Sequence, residues 1–170
     1  MIKLYENVVE ISDENEITRV DVVIASVLTQ NIKKYLKQGG KVVYIQRGKG
    51  SVPVTPVAFW REGIIRKFAH PVLDEVEKVH WMDDLRYFSL GTDTAINSEM
   101  LANLGYENIK PMFRRYDCRT WEATDYLLEA SYGKGTIFMT TLRFEGNMGK
   151  QPMFLENNVY ARWMLEKMIL

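Results

Sequence analysis

The sequence predicts an α/β fold: a mostly parallel sheet flanked by helices, with a hairpin-like strand pair in the C-terminal third. Two observations carry this expectation. Val20–Ala25 and Lys41–Gln46 are short, β-branched and almost wholly apolar, the pattern of strands buried on both faces. Between them lies a helix-like segment that stops at Gly39-Gly40. Strand, helix, strand is a βαβ unit, whose crossover is right-handed and makes its strands parallel. In the last third, Thr124–Tyr132 and Thr136–Thr141 flank Gly133-Lys134-Gly135, whose glycines meet the backbone demands of a tight turn.

The elements follow in order. Ile2–Tyr5 with Val8-Val9 reads as one strand, and Ser12 caps a short helix running to Thr18, with Asp13 and Glu14 suiting its first turn. A doubly wound domain opens with a longer strand, so the chain is expected to be a piece of a longer one. After the first buried strand, Val27–Gln38 is helical, with Leu28, Ile32, Tyr35 and Leu36 on one face and Ser26 as its cap. Lys33, Lys34 and Lys37 suit its C-terminal dipole. Arg47–Pro56 is a loop punctuated by Gly48, Gly50, Pro53 and Pro56, at the carboxyl end of a strand where open α/β sheets build their sites. Val57–Trp81 reads as an aromatic excursion with short helical turns, and residues 83–104 as helical pieces ending at Gly105. Ile109–Tyr116 is strand-like, and Pro152–Leu170 is a closing helix carrying Phe154, Leu155, Val159, Trp163, Met164 and Met168. No repeat or low-complexity linker interrupts the chain, which reads as one domain over residues 1–170.

Composition narrows the function classes. Lys+Arg and Asp+Glu both number 22, and this zero net charge argues against a general nucleic-acid binder. No apolar run reaches the length of a membrane span, and the N-terminus lacks the basic-then-apolar pattern of a signal peptide. A single cysteine, Cys118, excludes an internal disulfide and a multi-cysteine metal site. Four tryptophans, Trp60, Trp81, Trp121 and Trp163, fit either a core or a surface on which a sugar ring stacks.

Each candidate chemistry competes with a structural role. Gly48-Lys49-Gly50-Ser51 resembles a phosphate loop, but no glycine stands at the matching upstream position and Gly50 replaces the required hydroxyl residue. No dinucleotide fingerprint opens a helix, and no cofactor is expected. Cys118 lacks the small neighbours that let a nucleophile project from a strand-to-helix elbow. His70 and His80 are the only histidines; His80, beside Trp81 and just before Asp83-Asp84, is expected to hydrogen-bond a carboxylate. Asp83, Asp84, Asp117, Glu122, Glu129 and Glu145 offer paired carboxylates without any specific spacing. Glu129 lies within a strand, and if buried calls for a partner such as Arg114 or Arg143. Arg114, Arg115 and Arg119 are expected to pair with Asp117, Glu122 and Asp125.

Taken in order, Val20–Ala25, Gly39-Gly40, Lys41–Gln46, Phe59-Trp60-Arg61-Glu62, His70-Pro71, Leu127-Leu128-Glu129-Ala130, Gly133-Lys134-Gly135 and Thr140-Thr141-Leu142 resemble a C-terminal domain of bacterial family 2 glycoside hydrolases, the β-galactosidase-like group. That domain is similar to flavodoxin-like, class I glutamine amidotransferase-like domains. The resemblance implies that catalysis lies on another domain of the parent and that the amidotransferase Cys-His-Glu set is not retained, so no catalytic residue is carried over. The expected function is a non-catalytic accessory domain serving interdomain packing, oligomerisation or shaping of the substrate entrance. Its expected partners are the parent's other domains, carbohydrate and a second copy of the chain. Two alternatives stand beside it: a carbohydrate-binding module using exposed tryptophans, and a free-standing amidase or esterase with Ser51 as nucleophile. Trp60, His80, Trp81 and Trp121 are the expected ligand or interface contacts. The compartment is left open between the cytoplasm and secretion with the parent.

Overall fold

The computed structural model describes residues 7–57, 63–73, 90–144 and 158–170. Their centre is an eight-stranded sheet: β1 (Val22–Ala25), β2 (Lys41–Ile45), β3 (Val54–Pro56), β4 (Gly63–Lys67), β5 (Thr94–Ile96), β6 (Glu107–Asp117), β7 (Ala123–Tyr132) and β8 (Gly135–Thr140). The strands run β1-β2-β8-β7-β5-β3, with β6 also on β7 and β4 on β6.

The sheet is mixed, not mostly parallel. Among the described residues, only β1–β2 and β2–β8 are parallel, against five antiparallel pairings. The reason lies in the connections. A parallel neighbour needs a long crossover, whereas β6, β7 and β8 follow one another through short turns and must pair antiparallel. The turn at Gly133-Lys134 closes β7 onto β8 with Gly133 at φ +62°, a conformation that glycine adopts without steric cost. The hairpin pair read from the sequence is therefore present and forms part of a longer meander.

Among the described residues, one helix covers each face. Helix α1 (Gln30–Lys37) buries Ile32, Tyr35 and Leu36 against Val42, Tyr44, Leu128, Ile137 and Met139. Helix α2 (Val159–Ile169) buries Tyr160, Ala161, Met164, Leu165 and Met168 against Val43, Ile45, Phe113, Leu127 and Phe138. Successive strand residues point to opposite faces, so the continuous apolar run of β2 feeds both cores. At the end of α1, the Gly40 amide donates to Tyr35 O and the Gly39 amide to Leu36 O, with Gly39 at φ +108°. This is the Schellman arrangement that the Gly-Gly pair forecast.

Several boundaries differ from the sequence reading. Helix α1 starts after Thr29, whose hydroxyl accepts from the Ile32 amide, and not at Ser26. The Leu28 amide donates to Ser51 Oγ, which draws residues 26–28 out of the helix. Residues 2–5 of the expected first strand lie outside the described residues, residues 7–11 form no strand, and the short helix after Ser12 is a 3-10 helix, Glu14–Arg19. The stretch read as loop contains β3, where Pro56 sits on an edge strand and needs no ladder donor on its outer side. Within the expected helical turns of the aromatic excursion lies β4, and within residues 83–104 lie β5 and the 3-10 turns Ser98–Met100 and Ala102–Leu104. Residues 152–157 of the expected closing helix lie outside the described residues. Among those described, no helix is long and apolar enough to cross a membrane.

Candidate functional site

Three places bear on function: the loop after β2, a cleft beside the N-terminal end of β2, and the tip of the β6–β7 hairpin.

The loop after β2 occupies the carboxyl edge, where this architecture builds sites. Gln46, 1% exposed, fills it. Its Oε1 accepts from the Tyr44 hydroxyl at 2.6 Å and from the Val52 amide at 3.0 Å. Its Nε2 donates to Gly48 O at 3.0 Å and Val52 O at 2.9 Å. The Tyr44 hydroxyl in turn accepts from the Ser51 amide at 2.9 Å. Gly50 is required for this close fit, since a Cβ there would lie 2.7 Å from Gln46 Cδ and 2.8 Å from Tyr44 Oη. Ser51 Oγ is engaged as acceptor for Leu28 N at 2.9 Å. A carboxamide side chain and a phenol thus knit the loop shut, using the groups that a substrate would otherwise meet.

The cleft, about 390 Å³, is lined by Lys41, His70, Lys110, Glu129, Phe138 and Lys167 among others. The Val72 amide donates to His70 Nδ1 at 3.2 Å, so the neutral ring carries its proton on Nε2 and donates it to Glu129 Oε2 at 3.1 Å. Both ring nitrogens are committed, and neither is left to accept a substrate proton. Glu129 Oε1 accepts from Lys110 Nζ at 2.9 Å. Its partners are therefore His70 and Lys110, not Arg114 or Arg143; Arg143 faces Asp93 at 3.8 Å. Lys41 Nζ donates to Ile169 O at 3.2 Å, at the C-terminal end of α2, and lies 5.6 Å from the centre of the Phe138 ring. Burial pushes the Lys41 pKa down, opposed by the nearby Glu129 carboxylate. Gly39 and Gly40, which follow α1, and Lys167 and Leu170 at the end of α2 also line the cleft, and Lys41 complements the negative end of α2. The arrangement braces α2 to the sheet and secures the His70–Leu73 turn, in which Leu73 N donates to His70 O. Ser51 and His70 belong to opposite ends of β2, so no Ser–His pair forms between them.

The hairpin tip is organised by Asp117. Its Oδ1 accepts from the amides of Arg119 at 2.9 Å and Thr120 at 3.1 Å, and its Oδ2 from Arg115 Nη2 at 2.9 Å. These bonds, the Arg119 amide first, hold the carboxyl pKa down to about 2. The carboxylate's contribution is complete above the ordinary carboxylate range and fades as pH falls towards about 2. A side-chain NMR titration of Asp117 is expected to give a midpoint near that value, and Asp117→Asn is expected to loosen the tip at neutral pH. A midpoint at the ordinary value of about 3.9 would contradict the caged carboxylate.

Of the residues expected at a site, Trp60, His80 and Trp81 lie outside the described residues. Trp121 stands at the hairpin tip, 75% exposed, and Cys118 is also exposed there. The expected arginine pairing is present in Arg114–Asp125 and Arg115–Asp117. Sequence reasoning missed the His70–Glu129 pair, which joins a turn to a strand far along the chain without any motif spacing. Among the described residues, no group of three or more His, Cys, Asp or Glu is gathered for a metal. No protein-family model matches the sequence, and no curated protein matches it.

Proposed function

We propose that this chain is a non-catalytic accessory domain of a β-galactosidase-like glycoside hydrolase. The observation behind this reading is the loop after β2, closed by Gln46 and Tyr44 with Ser51 turned to the Leu28 amide. An amidotransferase-like scaffold would carry its nucleophile at that edge, and here the same position serves cohesion of the domain. The motif order from Val20 to Leu142 supplies the hydrolase parent. The domain's contribution is then a surface offered to the rest of the parent, with the chemistry carried out elsewhere.

The genomic locus tests the parentage. A reading frame that continues upstream into a catalytic barrel is the expected result, and a stop codon directly before Met1 would refute the accessory role. A parallel assay tests the chemistry. Wild-type and Ser51→Ala proteins are expected to hydrolyse chromogenic galactosides and activated esters at the same background rate. Saturable turnover abolished by Ser51→Ala would instead favour the free-standing esterase.

A further inference from the structure

The β6–β7 hairpin places a bulky aromatic residue where hairpins usually place glycine or asparagine. The loop Cys118–Trp121 closes with the Trp121 amide donating to Asp117 O at 3.0 Å and the Asp117 amide donating to Glu122 O at 3.0 Å. Its last residue, Trp121, has φ +61°, in the left-handed region. A side chain with a Cβ is strained there, and for a bulky residue the conformation is an outlier. The usual compensation for such strain is burial of the side chain, and Trp121 has none: the residue is 75% exposed. Among the described residues its indole makes no hydrogen bond and no ring contact. Local conformational preference and hydrophobic burial are thus both set aside at one position, as happens at functional sites.

The tip is also tied by its own hydrogen bonds. Three donors cage Asp117, and Thr120 Oγ1 accepts from the Glu122 amide at 3.3 Å. The indole is therefore presented from a preordered loop, which lowers the ordering cost of binding. Its immediate neighbours Arg119, Thr120 and Glu122 are all exposed and polar. A protein hot spot needs a surrounding rim of contacts that excludes water. A single flat ring, among the described residues, within a wet polar rim suits a smaller ligand, with one apolar face and hydroxyls around its edge. A pyranose has that form: its C–H face stacks on the indole while its hydroxyls meet guanidinium, hydroxyl and carboxylate groups. Among the described residues, the tip's exposed charges, Arg119 and Glu122, offset each other, which favours an uncharged sugar over a polyanion.

We propose that Trp121 at the β6–β7 tip is a stacking platform for a neutral pyranose of an oligosaccharide, with Arg119, Thr120 and Glu122 as its polar rim. This platform does not depend on the accessory-domain reading, and it holds equally for a free-standing chain.

The test uses the full chain and its Trp121→Gly and Trp121→Tyr variants. Each is titrated by calorimetry with short β-linked galacto- and gluco-oligosaccharides, with polygalacturonate and oligo(dT) as polyanionic probes, and each is unfolded in urea. Saturable binding of a neutral oligosaccharide is expected, lost at least tenfold in Trp121→Gly and largely kept in Trp121→Tyr. Glycine suits the left-handed conformation, so Trp121→Gly is expected to raise the unfolding midpoint while abolishing binding. A lowered midpoint would mean that the indole serves the fold, and would overturn the proposal. So would the absence of saturable binding to any neutral oligosaccharide, binding of the polyanions alone, or neutral-sugar binding that survives in Trp121→Gly.

Discussion

Arg114→Met is expected to destabilise the domain by about 3–5 kcal/mol, the cost of leaving a buried charge without its partner. Asp125 is fully buried on β7. Arg114 Nε meets its Oδ1 at 2.8 Å and Arg114 Nη2 its Oδ2 at 2.9 Å, a two-point fork. The same Nη2 donates to Ser98 Oγ at 3.2 Å, so one guanidinium ties β6, β7 and the turn before β6 together. That hydrogen bond to Asp125 is the main reason the arginine's pKa is raised. Methionine keeps much of the side chain's length and removes every donor. The carboxylate, with no water to replace the fork, must then stay charged and unpaired or take up a proton. The double variant Arg114→Met/Asp125→Leu removes both charges and is expected to recover at least half of the loss, because the desolvation penalty disappears with the pair. Urea unfolding of the four proteins in the cycle gives the coupling directly. An unchanged midpoint for Arg114→Met would show that water reaches Asp125.

How much of this was legible in the sequence depended on the range over which each feature acts. The β1–α1–β2 unit was readable because its signals are local: two apolar β-branched runs and a helix stopped by Gly39-Gly40, whose Schellman bonds are in place. The β7–β8 turn was readable for the same reason. The mixed character of the rest was not. It depends on which strand lies beside β2, and β8 takes that place from far along the chain. Strands β3, β4 and β5, of three to five residues each, are too short for a periodic pattern and owe their form to neighbours such as β6. At the candidate site, the local pairs Arg114–Asp125 and Arg115–Asp117 followed from charge proximity. Glu129 was recognised as anomalous, yet its partners depended on register: Lys110 is its cross-strand neighbour, and His70 arrives from a turn outside the strands. The exposure of Trp121 could not be read either, since four tryptophans in a small domain fit a core equally well. The turn residues around it gave no warning, because the left-handed position carries no glycine or asparagine to mark it.

Gly135→Ala is expected to cost about 3 kcal/mol or more, at the upper end of overpacking in a close-fitted core. Gly135 opens β8 directly beneath the end of α1. A Cβ there would lie 2.3 Å from Leu36 O, 2.4 Å from Gly40 O and 2.8 Å from Leu36 Cα. All three are backbone atoms, so no side-chain rotation relieves the clash. The helix end is held in place by its Schellman bonds and by the Thr136 amide donating to Gly40 O at 3.1 Å. Accommodating one methyl group therefore means lifting α1 from the sheet, at the expense of the contacts of Ile32, Tyr35 and Leu36 with Val42 and Ile137. The opposite case is Gly48, where a Cβ meets nothing within 4 Å and the sole objection is φ +59°; Gly48→Ala is expected to cost about 1 kcal/mol from conformation alone. Urea midpoints of the two variants separate steric from conformational need for glycine. Equal losses would mean that α1 rides loosely on β8, and the helix would then be a poor brace for the cleft at its C-terminal end.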